Sequence, residues 1–128
     1  MQPRPAWTRN LNQPKLLAAG DGWDAVRVSA DVGVRAVQDL EARGVPVGPV
    51  LHDLCSGQAY FLTPPGSVRE WEQDGTRALS TGSWVVLAPP GWEGLLRWVS
   101  DPMSCAAFTE TDDLAAALTA ATEERADG

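Results

Sequence analysis

Apolar positions along the chain shift between a period of two and one of three to four, a rhythm that predicts short strands interrupted by helices. Ala25-Val26-Arg27-Val28 alternates, so Val26 and Val28 are expected to face inward from a strand. Ser29 follows as a helix N-cap and Asp31 sits in the first turn, where a carboxylate complements the helix dipole. Val34, Val37 and Leu40 then recur at helical spacing over residues 30–43, and Gly44 is placed to end the helix in the left-handed conformation.

Residues 47–51 and 58–63 read as antiparallel strands around a hairpin loop at 52–57 that carries His52, Asp53 and Cys55. After the turn at Pro64-Pro65-Gly66, the S-x-x-E spacing of Ser67 and Glu70 predicts a capped short helix bearing Trp71. Strands are expected at 76–79 and 84–87, with a third at 95–99 beyond the loop that contains Pro89-Pro90-Gly91-Trp92. Thr111-Asp112-Asp113 caps an Ala/Leu-rich helix to about residue 124, with Leu114 and Leu118 on one face.

The predicted order is β-α-β-β-(short α)-β-β-β-α: a single α+β domain with a mainly antiparallel sheet of five to six strands and two main helices on one face. Residues 1–20, broken by Pro3, Pro5 and Pro14, read as an N-terminal arm. The globular domain covers 21–122 and a polar tail 123–128. One echo appears, since Tyr60-Phe61-Leu62-Thr63 and Val85-Val86-Leu87-Ala88 both run into Pro-Pro-Gly, as if two strands ended at one rim of the sheet.

Composition narrows the function classes. With 128 residues, 44% apolar and 21% charged, the chain has the make-up of one self-folding domain. One lysine against nine arginines, with no isoleucine, points to a high-GC bacterial genome rather than to phosphate binding. A net charge of −7 repels nucleic acid on average. No apolar run is long enough to span a bilayer or to serve as a secretion signal, so a cytoplasmic location with Cys55 and Cys105 reduced is expected.

Candidate chemistry is sparse. His52 is the single histidine, so a Cys55–His52 thiol enzyme is the sole nucleophilic scheme on offer, and sequence neighbours in a loop seldom have the geometry for it. Asp21 and Asp24 read as turn residues, Glu70, Glu72 and Asp74 as a solvated cluster, and Asp112 and Asp113 as dipole partners. No phosphate-cradling glycine motif occurs. These readings leave no catalytic residue, metal site or cofactor to assign.

Six tryptophans stand against two Phe and one Tyr. Trp84 and Trp98, on predicted strands, are expected in the core. Trp92 in its Pro-Pro-Gly loop and Trp7 on the arm are the candidates for binding, with Pro90 beside them. On that reading Trp84→Ala costs about 3–5 kcal/mol and Trp92→Ala about 1 kcal/mol or less.

The words Gly22-Trp23-Asp24-Ala25-Val26-Arg27-Val28, Gly48-Pro49-Val50, Tyr60 to Gly66, Gly82-Ser83-Trp84, Pro89-Pro90 and Thr111-Asp112-Asp113-Leu114 resemble small uncharacterised actinobacterial proteins. Some of these are described as similar to the N-terminal domain of bifunctional DNA primase/polymerases. Domains of that type pair metal-binding aspartates on one strand with a histidine on a neighbour, a pattern this sequence does not display. The leading expectation is a non-catalytic cytoplasmic domain that binds a protein partner through the Trp92, Pro90 and Trp7 rim. The alternative is a reduced primase/polymerase-like domain in which Arg69, Arg77 or Arg97 meets phosphate, with convergence of these arginines on an aspartate as the discriminating observation.

Overall fold

A computed structural model describes residues 6–103 and 105–127, with side-chain surroundings through residue 123. Residues 1–5 of the expected arm and Gly128 of the expected tail lie outside the described residues. The order is a 3-10 turn (Ala6–Thr8), β1 (Lys15–Ala18), β2 (Asp24–Ser29), α1 (Ala30–Ala42), β3 (Val50–Asp53), β4 (Gln58–Thr63), β5 (Arg77–Leu79), β6 (Trp84–Leu87), β7 (Leu96–Ser100) and α2 (Thr111–Asp127). It is an α+β fold. A five-stranded antiparallel sheet, ordered β5-β2-β4-β3-β7, is accompanied by a two-stranded antiparallel ribbon of β1 and β6.

Strand alternation feeds two apolar layers. Val26 and Val28 of β2, Val50 of β3 and Phe61 of β4 meet Ala36, Val37 and Leu40 of α1 and Leu114 and Leu118 of α2 on one face. The intervening residues Ala25, Leu51 and Leu62 meet Trp23, Val85 and Leu87 on the other, where the ribbon lies. Helix α1 can lie close to the sheet because Gly33 carries no Cβ, which would fall 2.8 Å from the Ala59 methyl. Ser29 is extended as an N-cap should be but makes no side-chain cap bond, and Gly44 ends the helix at φ +71°.

Several expectations need correction. Residues 15–18 are not arm but strand: Lys15 to Ala18 pair with Leu87 to Trp84, and Leu17 packs into the second layer. No helix forms around Trp71. Gly66 takes φ +79°, Ser67 donates its hydroxyl to Thr63 Oγ1 at 2.9 Å instead of capping, and Val68 N–H is drawn to Asp24 Oδ2 at 3.3 Å, which leaves a series of turns over 65–70.

His52 is a strand residue, paired with Ala59 and Arg97, because the loop closes in only four residues. Asp53 Oδ1 accepts the N–H groups of Cys55 and Ser56 at 2.9 and 3.3 Å and so shapes that turn. Asp24, read as a turn residue, opens β2 and is fully buried, accepting from Ser80 Oγ at 2.8 Å as well as from Val68. The two Pro-Pro-Gly words do not share a rim, since β4 belongs to the main sheet and β6 to the ribbon. Residues 123–127 of the expected tail continue α2.

Candidate functional site

Part of the expected tryptophan rim assembles at the β7 edge. After β6 the chain turns at Pro89, whose carbonyl accepts the Trp92 N–H at 3.1 Å and the Trp98 Nε1–H at 2.9 Å. Asp101 ties this loop to the segment after β7, accepting from Gly91 N–H at 2.6 Å and Met103 N–H at 2.9 Å. The result is an open cleft of about 440 Å³ lined by Gly91, Trp92, Glu93, Arg97, Trp98 and Asp101. Trp7 stacks on Trp98, with ring centroids 5.7 Å apart and planes tilted by 33°.

The geometry gives these rings structural work. Trp7, Trp92 and Trp98 are all half-buried and packed against the second apolar layer, and Pro90 is half-buried within the turn. Trp98 is thus less buried than a core strand residue, and Trp92 less free than a loop tip.

Trp84 overturns the core assignment. Its side chain is 60% exposed on the outer face of the ribbon, where Val86 is 40% and Leu16 58% exposed. Cross-strand register places Leu16 opposite Val86 and Ala18 opposite Trp84, so these residues form one apolar strip, while Val85 and Leu87 point inward. The run Trp84-Val85-Val86-Leu87 is apolar throughout, which reads as a strand covered on both faces. A two-stranded ribbon lying over a sheet can cover only one of its own faces. The signal that locates the strip is therefore pairing with β1, which the run alone does not carry.

The three candidate arginines do not converge. Arg97 borders the tryptophan cleft, Arg69 borders a separate cleft of about 440 Å³ with Gly20, Gly66, Ser80 and Thr81, and exposed Arg77 lines neither. His52 and Asp24 are strand residues on β3 and β2, but they align with Ala59 and Thr63 of the intervening β4. Four residues of strand put them about 13 Å apart along the sheet. Among the described residues no group of three or more His, Cys, Asp or Glu side chains is placed to hold a metal ion, and no helix is long and apolar enough to cross a membrane.

Both cysteines are free thiols. No hydrogen bond joins exposed Cys55 to His52, which lies on the strand before the turn. Burial pushes the Cys105 thiol above its usual range, a hydrogen bond with Ser100 pulls it partly back, and the Asp101 carboxylate adds to the rise. Alkylation needs an accessible thiolate. At pH 7.5 iodoacetamide should therefore modify Cys55 on the order of tenfold faster than Cys105. Mass spectrometry of partially modified protein measures the ratio, and equal rates would contradict this arrangement.

Comparison of the chain with protein-family models, with curated proteins and with solved structures returned no match.

Proposed function

We propose that this protein is a non-catalytic cytoplasmic binding domain whose partner is another protein, docked on the outer face of the β1–β6 ribbon. The observation that carries this reading is the strip of Trp84, Val86 and Leu16, exposed by 60%, 40% and 58% on adjacent strands. Water contact with a contiguous apolar strip is unfavourable, and tryptophan is the residue most enriched among interface hot spots. The two free thiols fit a reducing compartment.

The partner is a different protein rather than a second copy of this chain. Two copies, each with a net charge of −7, repel as their surfaces approach, whereas a neutral or basic partner does not. The ribbon also reinterprets the expected arm, because the strip includes Leu16 from the segment read as arm.

The test has two stages. Proteins captured by the wild-type domain from its host are identified, purified and titrated against the wild type and Trp84→Ala. Truncation at a hot spot costs about 2 kcal/mol, or roughly a 30-fold weaker Kd. An affinity within twofold of wild type removes the strip as the docking face. Light scattering of the isolated domain at about 100 μM should give a monomer; a dimer abolished by Trp84→Ala would assign the strip to self-association instead.

A further inference from the structure

The sheet register places two arginines directly opposite one another on the ribbon-side face. Arg77 of β5 pairs with Arg27 of β2, and Arg27 pairs in turn with Tyr60 of β4, so the three form one row across neighbouring strands. Directly opposed residues have their Cβ atoms about 4.5–5.5 Å apart, and like charges so placed destabilise the sheet. The adjoining row toward the ribbon is apolar, formed by Leu79, Ala25 and Leu62 and covered by the second layer. Arg77 is exposed, Arg27 is half-buried, and half-buried Tyr60 packs against the second layer, so the two arginines lie at the margin of that layer.

Among the described residues neither guanidinium is held by a carboxylate. The ion pair of Arg43 with Asp39 lies on α1, and among the described residues the side chains of Arg27 and Arg77 make no hydrogen bond or salt bridge. On the same face the next row holds Ser29, Gln58 and Asp53. Asp53 stands two strands from Arg27, and its Oδ1 is engaged by the turn at Cys55 and Ser56. In a chain of net charge −7, two arginines paired on adjacent strands without a salt bridge of their own form a local cationic pair.

We propose that Arg27 and Arg77 together bind a phosphate dianion, with Tyr60 as the flanking aromatic wall. A guanidinium offers a planar fork of donors matched to phosphate oxygens, and two forks on adjacent strands neutralise both charges of a dianion. The ligand relieves the repulsion that the free protein bears, so occupancy and stability are linked. This site is separate from the apolar strip of the ribbon and does not depend on its partner.

Two consequences of opposite sign test it. Without phosphate, Arg77→Gln should raise the melting temperature by about 2 °C, because it removes one of two like charges. Inorganic phosphate at about 10 mM should raise the wild-type melting temperature by about 4 °C beyond the response of Arg27→Gln or Arg77→Gln. Subtracting the variants' response removes the general stabilisation that excluded salts give. Arg9→Gln, outside the row, should respond as wild type does. Phenyl phosphate titrated in parallel distinguishes the sources: tighter binding than inorganic phosphate assigns a phosphomonoester carried on a ring, and equal binding assigns the free ion. A phosphate response equal in wild type and Arg77→Gln overturns the proposal, and so does a lower melting temperature of Arg77→Gln in phosphate-free buffer.

Discussion

Replacing Trp23 by alanine should cost the fold about 3–5 kcal/mol, and the same change at Trp84 under about 1 kcal/mol. Trp23 is 1% exposed and lies among Ala25, Leu62, Val85 and Leu87, between the ribbon and the main sheet. Its carbonyl also accepts the Gly20 N–H at 2.7 Å, which closes the turn from β1 into β2. Truncation removes the largest side chain at that junction and leaves a void that the surrounding strands cannot collapse into without losing register. Trp84 is 60% exposed, and its loss opens no cavity. For a domain of this size about 4 °C accompanies each kcal/mol, so Trp23→Ala should melt roughly 12–20 °C lower and Trp84→Ala within about 4 °C of wild type. Denaturant unfolding of both variants checks the order, and a severe loss at Trp84 would show that the strip is covered within the monomer.

That pair of residues marks where the sequence is informative and where it is silent. Periodicity finds most of the elements because it reports local geometry: β4 and β6 fall at the expected residues, and α1 and β2 within about a residue of their expected ends. Periodicity also identifies Val26, Val28, Leu114 and Leu118 as core. It cannot say which strands share a sheet. The apolar run of β6 suits a covered strand as well as the ribbon strand it is, and only pairing with residues 15–18 exposes Trp84 and buries Leu87.

Local signals also fail where a distant group outcompetes them. The capping spacing of Ser67 and Glu70 is genuine, but the Ser67 hydroxyl donates to nearby Thr63, and Asp24, 44 residues away from Val68 in sequence, takes the Val68 N–H. No short window centred on residue 67 contains Asp24. The candidate sites divide in the same way. Trp92 and Arg97 are close enough in sequence for a loop and its following strand to bring them to one cleft, whereas Arg27 and Arg77 meet only through strand order.

Gly48→Ala should be among the most damaging single-methyl additions in this protein, costing about 3 kcal/mol or more, at the upper end of what overpacking ordinarily costs. The backbone at Gly48 does not occupy the positive-φ region, so conformational strain is not the reason. The added Cβ would fall 2.4 Å from the carbonyl carbon of Phe108, 2.5 Å from its Cα and 2.7 Å from the Thr109 nitrogen. These are backbone atoms, which cannot rotate aside as a side chain does, and they are fixed from several directions. Thr109 N–H donates to the Leu62 carbonyl at 3.0 Å, its buried hydroxyl accepts the Gly48 N–H at 2.8 Å, and Ala106 N–H donates to the Val47 carbonyl at 3.1 Å. The approach of α2 to the sheet passes through this crossing, so moving it displaces Leu114 and Leu118 from the first layer. Thr109→Val separates the two contributions: it keeps the close approach but leaves the buried Gly48 N–H without its acceptor, for a cost of about 1–3 kcal/mol. Chemical denaturation should therefore rank Gly48→Ala below Thr109→Val and both below wild type. A Gly48→Ala protein as stable as wild type would mean that the 45–49 and 105–109 segments do not cross this closely.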